Sequence, residues 1–273
     1  MPVITQVPAT ARINQVVGAL TPRPNGMAPA STTSAIEAPW LRLCIHGDID
    51  SRKTSTAAAF AAPEDTRIIL TRGEDQLLPI RSLGIKYQMC KNLKEFQYAA
   101  MYPEQIWPEW ASLPNRTLVF DDITKAKELA LDENDDGQNN MLVYREATKD
   151  IGSIFKSVFS KPQHVIAIAL TTSYENDISH EENLTPDLPP SMRRMLMADF
   201  SFVFYIDKTK KVFFTSEHRQ TWQGMDEKMR AKVCTRIIFA RHKLPKELEG
   251  KGIIAPEEPL DIAAIWKKVR EAK

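Results

Sequence analysis

A lysine and a threonine, Lys53 and Thr54, stand side by side where a short apolar run meets an alanine-rich stretch. An ammonium group in this position can bind the terminal phosphates of a nucleotide, and the neighbouring hydroxyl can bind Mg²⁺. A few residues earlier, Gly47 opens a polar loop whose backbone N–H groups can wrap a polyphosphate. These residue types in this order predict a phosphate-binding loop.

The flanking residues predict the elements that would hold this loop. Leu41, Leu43 and Ile45 alternate with other residues, which indicates a short buried strand. The alanine-rich segment 57–62 favours a helix that stops at Pro63. The loop and the first helical turn supply the candidate phosphate ligands, which are Gly47, Asp48, Ile49, Asp50, Ser51, Arg52, Lys53, Thr54 and Ser55.

Arg52 departs from the phosphate-loop pattern G-x-x-x-x-G-K-[ST], which has glycine at that position. Glycine would let the backbone curl around phosphate, whereas arginine restricts the backbone and adds positive charge. Asp48 and Asp50 oppose that charge. Two interpretations stay open, a degenerate phosphate-binding loop and an ordinary strand-to-helix turn with a solvated Arg-Lys pair.

Segment 116–123, RTLVFDDI, predicts a buried parallel strand with two carboxylates at its carboxyl end. This is the form of a Walker B element, in which an aspartate orders Mg²⁺ beside the loop hydroxyl. We assign that role to Asp121, so the predicted metal ligands are Thr54 and Asp121. Asp122 either holds a water or the nucleophile, or caps the next turn.

Two further candidates follow predicted strands. Glu74 comes after segment 66–71 and could polarise an attacking water, because strand ends in open α/β sheets face the ligand crevice; a solvated turn is the alternative. Thr171 and Thr172 end segment 163–172 and could sense the terminal phosphate, or simply end the strand. Segment 173–190 is polar and proline-rich, which predicts a long loop that orders on binding.

Composition limits the function classes. The chain has 273 residues, a formal net charge of +1 and three scattered cysteines. We therefore expect any nucleic-acid site to be a local patch, and a reducing, cytoplasmic location. Neither a membrane span nor a secretion signal is expected. Residues 1–39 predict a flexible tail, with an arm that docks on a neighbouring subunit as the alternative, and residues 40–273 predict the folded domain.

The carboxyl-terminal part predicts a β-hairpin made from segments 200–206 and 211–215. Basic residues gather after it, among them Arg241 and Lys243. They indicate either a solvated surface or a patch for DNA or for a neighbour's nucleotide.

Taken together, these motifs resemble the RecA-like P-loop NTPases. More narrowly, they resemble the phage-encoded ATP-binding proteins of recombination and single-strand annealing. The resemblance rests on short segments in order, which are GDIDSRKT, ILTRGED, TLVFDD, YREATKDI, HVIAIALTT, TPDLPPSMRRMLMADFSFVFYI and FARHKLPKELEG.

The resemblance implies an α/β fold with a mostly parallel sheet and helices on both faces. It further implies bound ATP and Mg²⁺, a homo-oligomeric ring or filament, single-stranded DNA and other recombination or replication proteins as partners. It places Lys243 or Arg241 at the next subunit's phosphate as a catalytic residue.

These residues are consistent with three functions. The first is a DNA-dependent ATPase that uses Lys53, Thr54 and Asp121 to hold Mg-ATP and Glu74 to activate water. The second is a non-catalytic RecA-like scaffold for DNA or protein, which Arg52 favours. The third, a small-molecule kinase, is weaker because the sequence carries no acceptor-site motif.

Overall fold

The computed structural model describes residues 40–49, 51–135, 137, 140–175, 182–206, 236–239 and 257–271, which belong to one unit, Ala38–Lys273. The strands are β1 (Arg42–Gly47), β2 (Thr66–Leu70), β3 (Lys86–Met89), β4 (Thr117–Asp121), β5 (His164–Glu175), β6 (Glu182–Pro186), β7 (Phe202–Ile206), β8 (Arg236–Phe239) and β9 (Glu257–Pro259). The α-helices are α1 (Lys53–Ala58), α2 (Leu93–Met101), α3 (Pro103–Ile106), α4 (Ile123–Asn134), α5 (Asn140–Phe159), α6 (Pro190–Asp199) and α7 (Ile262–Glu271). Short 3₁₀ helices cover Pro63–Asp65, Glu74–Leu83 and Pro108–Ser112.

The strands form one sheet in the order β3-β2-β4-β5-β1-β7-β8-β9, and β6 pairs with β5. Along the spatial order β3-β2-β4-β5-β1-β7, all the pairings are parallel. Strands β8 and β9 extend the sheet beyond β7 in antiparallel fashion. Strand β6 pairs with β5, also antiparallel. The mostly parallel α/β sheet predicted from the sequence is confirmed, and it is compatible with a RecA-like core.

Helices cover both faces of the sheet because the parallel strands bury side chains on each side. On one face, α2, α4, α5 and α6 pack over Phe120 and Ala167 around an aromatic cluster that includes Phe155. On the other face, α1, α7 and the 3₁₀ helix Glu74–Leu83 pack over alternate residues of the same strands. The two faces alternate along each strand, as the two-residue side-chain period requires.

Strand register brings the candidate motifs to one edge. Gly47 pairs with Leu170, and Asp121 pairs with Ile168 on the other side of β5. Leu70 on β2 lies opposite Asp121. The carboxyl ends of β1, β2 and β4 therefore meet beside Ile168 and Leu170 of β5, at the edge where ligands bind in open α/β sheets.

Most of the predicted elements in the described ranges are confirmed, including strand β4 and helix α5. The predicted loop over 173–190 is wrong, because β5 runs on to Glu175 and β6 pairs with it. The antiparallel neighbour of β7 is β8. The predicted second hairpin strand, 211–215, and the predicted tail, 1–39, lie outside the described residues.

Candidate functional site

The loop after β1 adopts a glycine-like conformation at its non-glycine position. Arg52, the N-cap residue of α1, has φ 67° and ψ 21°, which is the left-handed region. An L-residue there costs about 1 to 2 kcal/mol, and glycine avoids that cost. The phosphate-loop pattern has glycine at this position, so the backbone keeps the pattern's requirement although the residue differs.

Gly47 lies against the backbone of the neighbouring strand β7. A Cβ added to it would lie 2.2 Å from the carbonyl oxygen of Ile206 and 2.5 Å from Oγ of Ser51. The end of β1 therefore lies directly against the end of β7, where there is room only for glycine.

Lys53 is buried inside the loop that it follows, with 7% of the residue exposed. Its Nζ donates hydrogen bonds to the carbonyl oxygens of Gly47 at 2.8 Å and Asp48 at 2.6 Å, and to Ser51 Oγ at 3.3 Å. Burial lowers the pKa of Lys53 from 10.5 to about 8. The carboxylates of Asp122 and Asp121 act in the opposite direction and favour the ammonium form.

Thr54 and Asp121 are joined directly. Thr54 Oγ1 donates a hydrogen bond of 2.6 Å to Asp121 Oδ2. Asp121 is 3% exposed, and burial raises its pKa from 3.8 to about 6, although the bond from Thr54 favours the charged form. The structure thus brings together the two residues predicted as magnesium ligands.

Asp122 is buried beside Asp121 and serves two partners. Its Oδ1 accepts a hydrogen bond of 2.6 Å from the backbone N–H of Lys125, which caps α4. Its Oδ2 accepts one of 2.5 Å from Arg72 Nε. The capping alternative for Asp122 is confirmed, and the ion pair with Arg72 is a contact that the sequence analysis missed.

Thr71 ties the end of β2 to the two aspartates. Its hydroxyl donates to the carbonyl oxygen of Asp122 at 2.8 Å and accepts from the Asp122 N–H at 3.0 Å. Its own N–H donates to the carbonyl oxygen of Asp121 at 2.9 Å. Thr71 and Arg72 directly follow a predicted strand, which is the signal that could have identified them.

Thr171 lies within β5, one residue after Leu170, which pairs with Gly47 at the start of the candidate loop. Its hydroxyl is hydrogen-bonded to Nδ1 of His46 at 3.0 Å, one residue before Gly47. Of the remaining loop residues, Ser51 is buried while Asp48 and Ile49 are exposed. Ser55 is half-buried in α1.

Glu74 is placed differently from the other candidates. It begins the 3₁₀ helix Glu74–Leu83, is exposed, and is hydrogen-bonded to Tyr87, whose pKa that bond raises. Tyr87 belongs to β3, the edge strand on the side of β2 that faces away from β4. Asp50, Arg241 and Lys243 lie outside the described residues.

A cavity of about 450 Å³ lies at the opposite end of the sheet, at the start of β2 and β3. Three of its charged lining residues are paired with one another, since Arg67 and Lys86 both donate to Oε1 of Glu109 at 2.7 Å. This cavity is separate from the cluster around Lys53, which lies at the carboxyl ends of the strands.

No protein-family profile matches this chain, and no curated protein resembles it at a significant level. In the described part of the chain, every helix is too short or too polar to cross a bilayer. The function is therefore inferred from the cluster itself.

Proposed function

We propose that this chain is a RecA-like P-loop protein that binds Mg-ATP and acts on single-stranded DNA in recombination or replication. The observation that carries the proposal is the 2.6 Å bond between Thr54 and Asp121, beside the buried Lys53. Lys53 and Thr54 begin α1 after the loop that follows β1, whereas Asp121 ends β4, so the bond joins positions 67 apart in sequence. Their convergence is what a nucleotide-binding edge requires.

The donor set suits magnesium. A threonine hydroxyl and a carboxylate are hard oxygen ligands, which Mg²⁺ prefers, and Mg²⁺ usually keeps waters and substrate phosphates as its other ligands. Within the described ranges no group of three or more His, Cys, Asp or Glu could hold a metal by itself. Thr54 and Asp121 would therefore hold the ion together with phosphate and water.

Lys53 would bind phosphate by exchanging acceptors. Its ammonium already lies inside the loop, where it is bonded to the carbonyl oxygens of Gly47 and Asp48. A phosphate oxygen is a charged acceptor and forms a stronger bond with an ammonium than a carbonyl does. When bound, Mg-ATP supplies the phosphoryl chemistry, and Lys53 orients its phosphates.

The test is nucleotide binding by calorimetry, with Lys53→Met as the variant and Lys161→Met as the matched control. Lys161 also donates to a backbone carbonyl, that of Met101, but it lies near the start of β5. We expect Lys53→Met to abolish Mg-ATP binding and Lys161→Met to leave it unchanged. Equal affinity in Lys53→Met and the unmodified protein would reject the phosphate-loop assignment.

A second candidate function is a nucleotide-binding scaffold that does not turn ATP over. The placement of Glu74 favours it, because the predicted water-activating carboxylate is bonded to Tyr87 at the far edge of the sheet. Phosphate release measured with and without single-stranded DNA separates the two. DNA-stimulated release that Lys53→Met abolishes establishes the ATPase, and binding without release establishes the scaffold.

A further inference from the structure

The residue pattern alone assigns no role to Arg72, yet the structure places this arginine beside Asp122 at the candidate site. Strand β2 pairs with β4 so that Leu70 lies opposite Asp121. The reciprocal bonds of Thr71 with Asp122 then lock the next residue in place. Arg72 therefore leaves the sheet at its carboxyl edge, one strand away from the Thr54–Asp121 pair.

The side chain of Arg72 is only partly engaged. Its Nε donates to Asp122 Oδ2 at 2.5 Å, and 30% of the side chain is exposed. Within the described part of the chain, the guanidinium of Arg72 makes no other hydrogen bond or ion pair. The two terminal nitrogens are thus available to a further acceptor, and a guanidinium suits phosphate because its N–H groups form a planar fork.

The balance of charge in the cluster bears on whether it can bind an anion. Two cations, Lys53 and Arg72, face two buried carboxylates, Asp121 and Asp122. A doubly charged magnesium ion on Asp121 would make the cluster net positive, which favours an anion such as phosphate.

We propose that the terminal nitrogens of Arg72 bind the terminal phosphate of ATP in the same subunit, while Asp122 holds Nε. This inference rests on the proposed function and names the residue that distinguishes ATP from ADP.

The experiment compares affinities for Mg-ADP and for a Mg-bound ATP analogue with a nitrogen bridge between its last two phosphates. Arg72→Gln is expected to weaken analogue binding about 10- to 100-fold, as expected for a lost charge-assisted bond. Binding of ADP should change by less than about threefold, since ADP lacks the contacted group. Arg81→Gln is the matched control, because Arg81 is an exposed arginine of the following 3₁₀ helix.

Removing Arg72 also leaves the buried Asp122 without its cation, which can unfold the site. The double variant Arg72→Gln with Asp122→Asn removes both charges and keeps a neutral hydrogen-bonding pair and a helix cap. We expect it to melt close to the unmodified protein and still to bind the analogue weakly.

The possible outcomes separate the two proposals. Analogue binding that is indifferent to Arg72, or that weakens equally for ADP, overturns the role of Arg72 and leaves the proposed function standing. An unmodified protein that binds neither nucleotide overturns both. A selective loss of the analogue in the single and double variants supports both.

Discussion

At the scale of single residues, Arg52 and Asp121 each lower the stability of the fold, Arg52 through its backbone conformation and Asp121 through its buried charge. Arg52 lies in the left-handed region of backbone space, and Asp121 is a carboxylate with 3% exposure. Functional sites concentrate such costs because the geometry is needed for binding rather than for folding. Each cost can be measured by one substitution.

Arg52→Gly should raise the free energy of unfolding by about 0.5 to 1 kcal/mol, because relief of the left-handed strain outweighs the extra entropy of glycine in the unfolded chain. Arg52→Ala removes the same charge but keeps the strain, so its stability should stay within about 0.5 kcal/mol of the unmodified protein. Urea unfolding measures both. Equal stability of the two variants would contradict the conformational explanation.

The same pair of variants separates conformation from charge in function. The loop already has the glycine-like backbone, so Arg52→Gly changes mainly the charge near phosphate. If arginine impairs turnover, both variants should raise the rate of phosphate release. A lower rate in both would mean that Arg52 is itself a phosphate ligand.

Asp121→Asn should stabilise the fold and abolish magnesium-dependent nucleotide binding. The folded pKa of about 6 exceeds the unfolded value of 3.8, so stabilisation by the protonated carboxyl is complete below pH 3.8 and is lost as pH rises through about 6. At pH 7 the free energy of unfolding of the asparagine variant should therefore be about 1 to 3 kcal/mol higher than that of the unmodified protein. Urea unfolding from pH 4 to pH 7 measures this difference, which should shrink toward low pH.

An asparagine variant that is less stable at pH 7, or that still binds nucleotide with Mg²⁺, would contradict this view of Asp121. Asp132→Asn serves as a control, since Asp132 is an exposed carboxylate of α4. It should change neither the stability nor its pH dependence.

The sequence alone predicts that Lys53, Thr54 and Asp121 form one cluster, because the prediction follows from residue type and from position at the end of a strand or loop. It does not identify Arg72. That residue acquires its contact from the pairing of β2 with β4, which joins positions 50 apart in sequence. Strand order depends on long-range packing, which local patterns do not encode.

At the scale of elements, β1 lies between β5 and β7, and its last residue contacts the backbone of both neighbours. The buried runs of β1, β4 and β5 are apolar and are predictable from the sequence. Strand β6 is not predictable in this way, because Asn183, Thr185 and Pro186 carry no strand pattern. It is held by its ladder with the polar end of β5.

Gly47→Ala should lower the free energy of unfolding by about 1 to 3 kcal/mol, because the new methyl group overlaps the carbonyl oxygen of Ile206. Gly73→Ala is the matched control. Its methyl group would meet only the exposed, rotatable side chain of Asp75, so we expect little change. Urea unfolding of both variants measures the difference, and equal stability would contradict the close approach of β1 and β7.

At the scale of the whole molecule, a net charge of +1 offers no general attraction for nucleic acid. Binding of single-stranded DNA must therefore come from a local group of basic side chains, and its affinity must depend steeply on salt. The sequence predicts that group around Arg241 and Lys243, beyond the described residues.

Affinity for a single-stranded oligonucleotide should fall about tenfold or more between about 50 and 200 mM salt. Fluorescence anisotropy measures it, with Arg241→Gln and Lys243→Gln expected to flatten the slope. Lys161→Met is the control and should keep the slope. A response to salt that is flat in the unmodified protein would remove DNA from the proposed function.

The contact between Gly47 and Ile206 joins two backbones with no side chain between them. Side chains absorb small displacements by changing rotamer, whereas a backbone-to-backbone contact transmits them. A displacement of Ile206 at the end of β7 would therefore shift Gly47, the residue from which the candidate loop begins. The fold thus couples the position of β7 mechanically to the loop after β1.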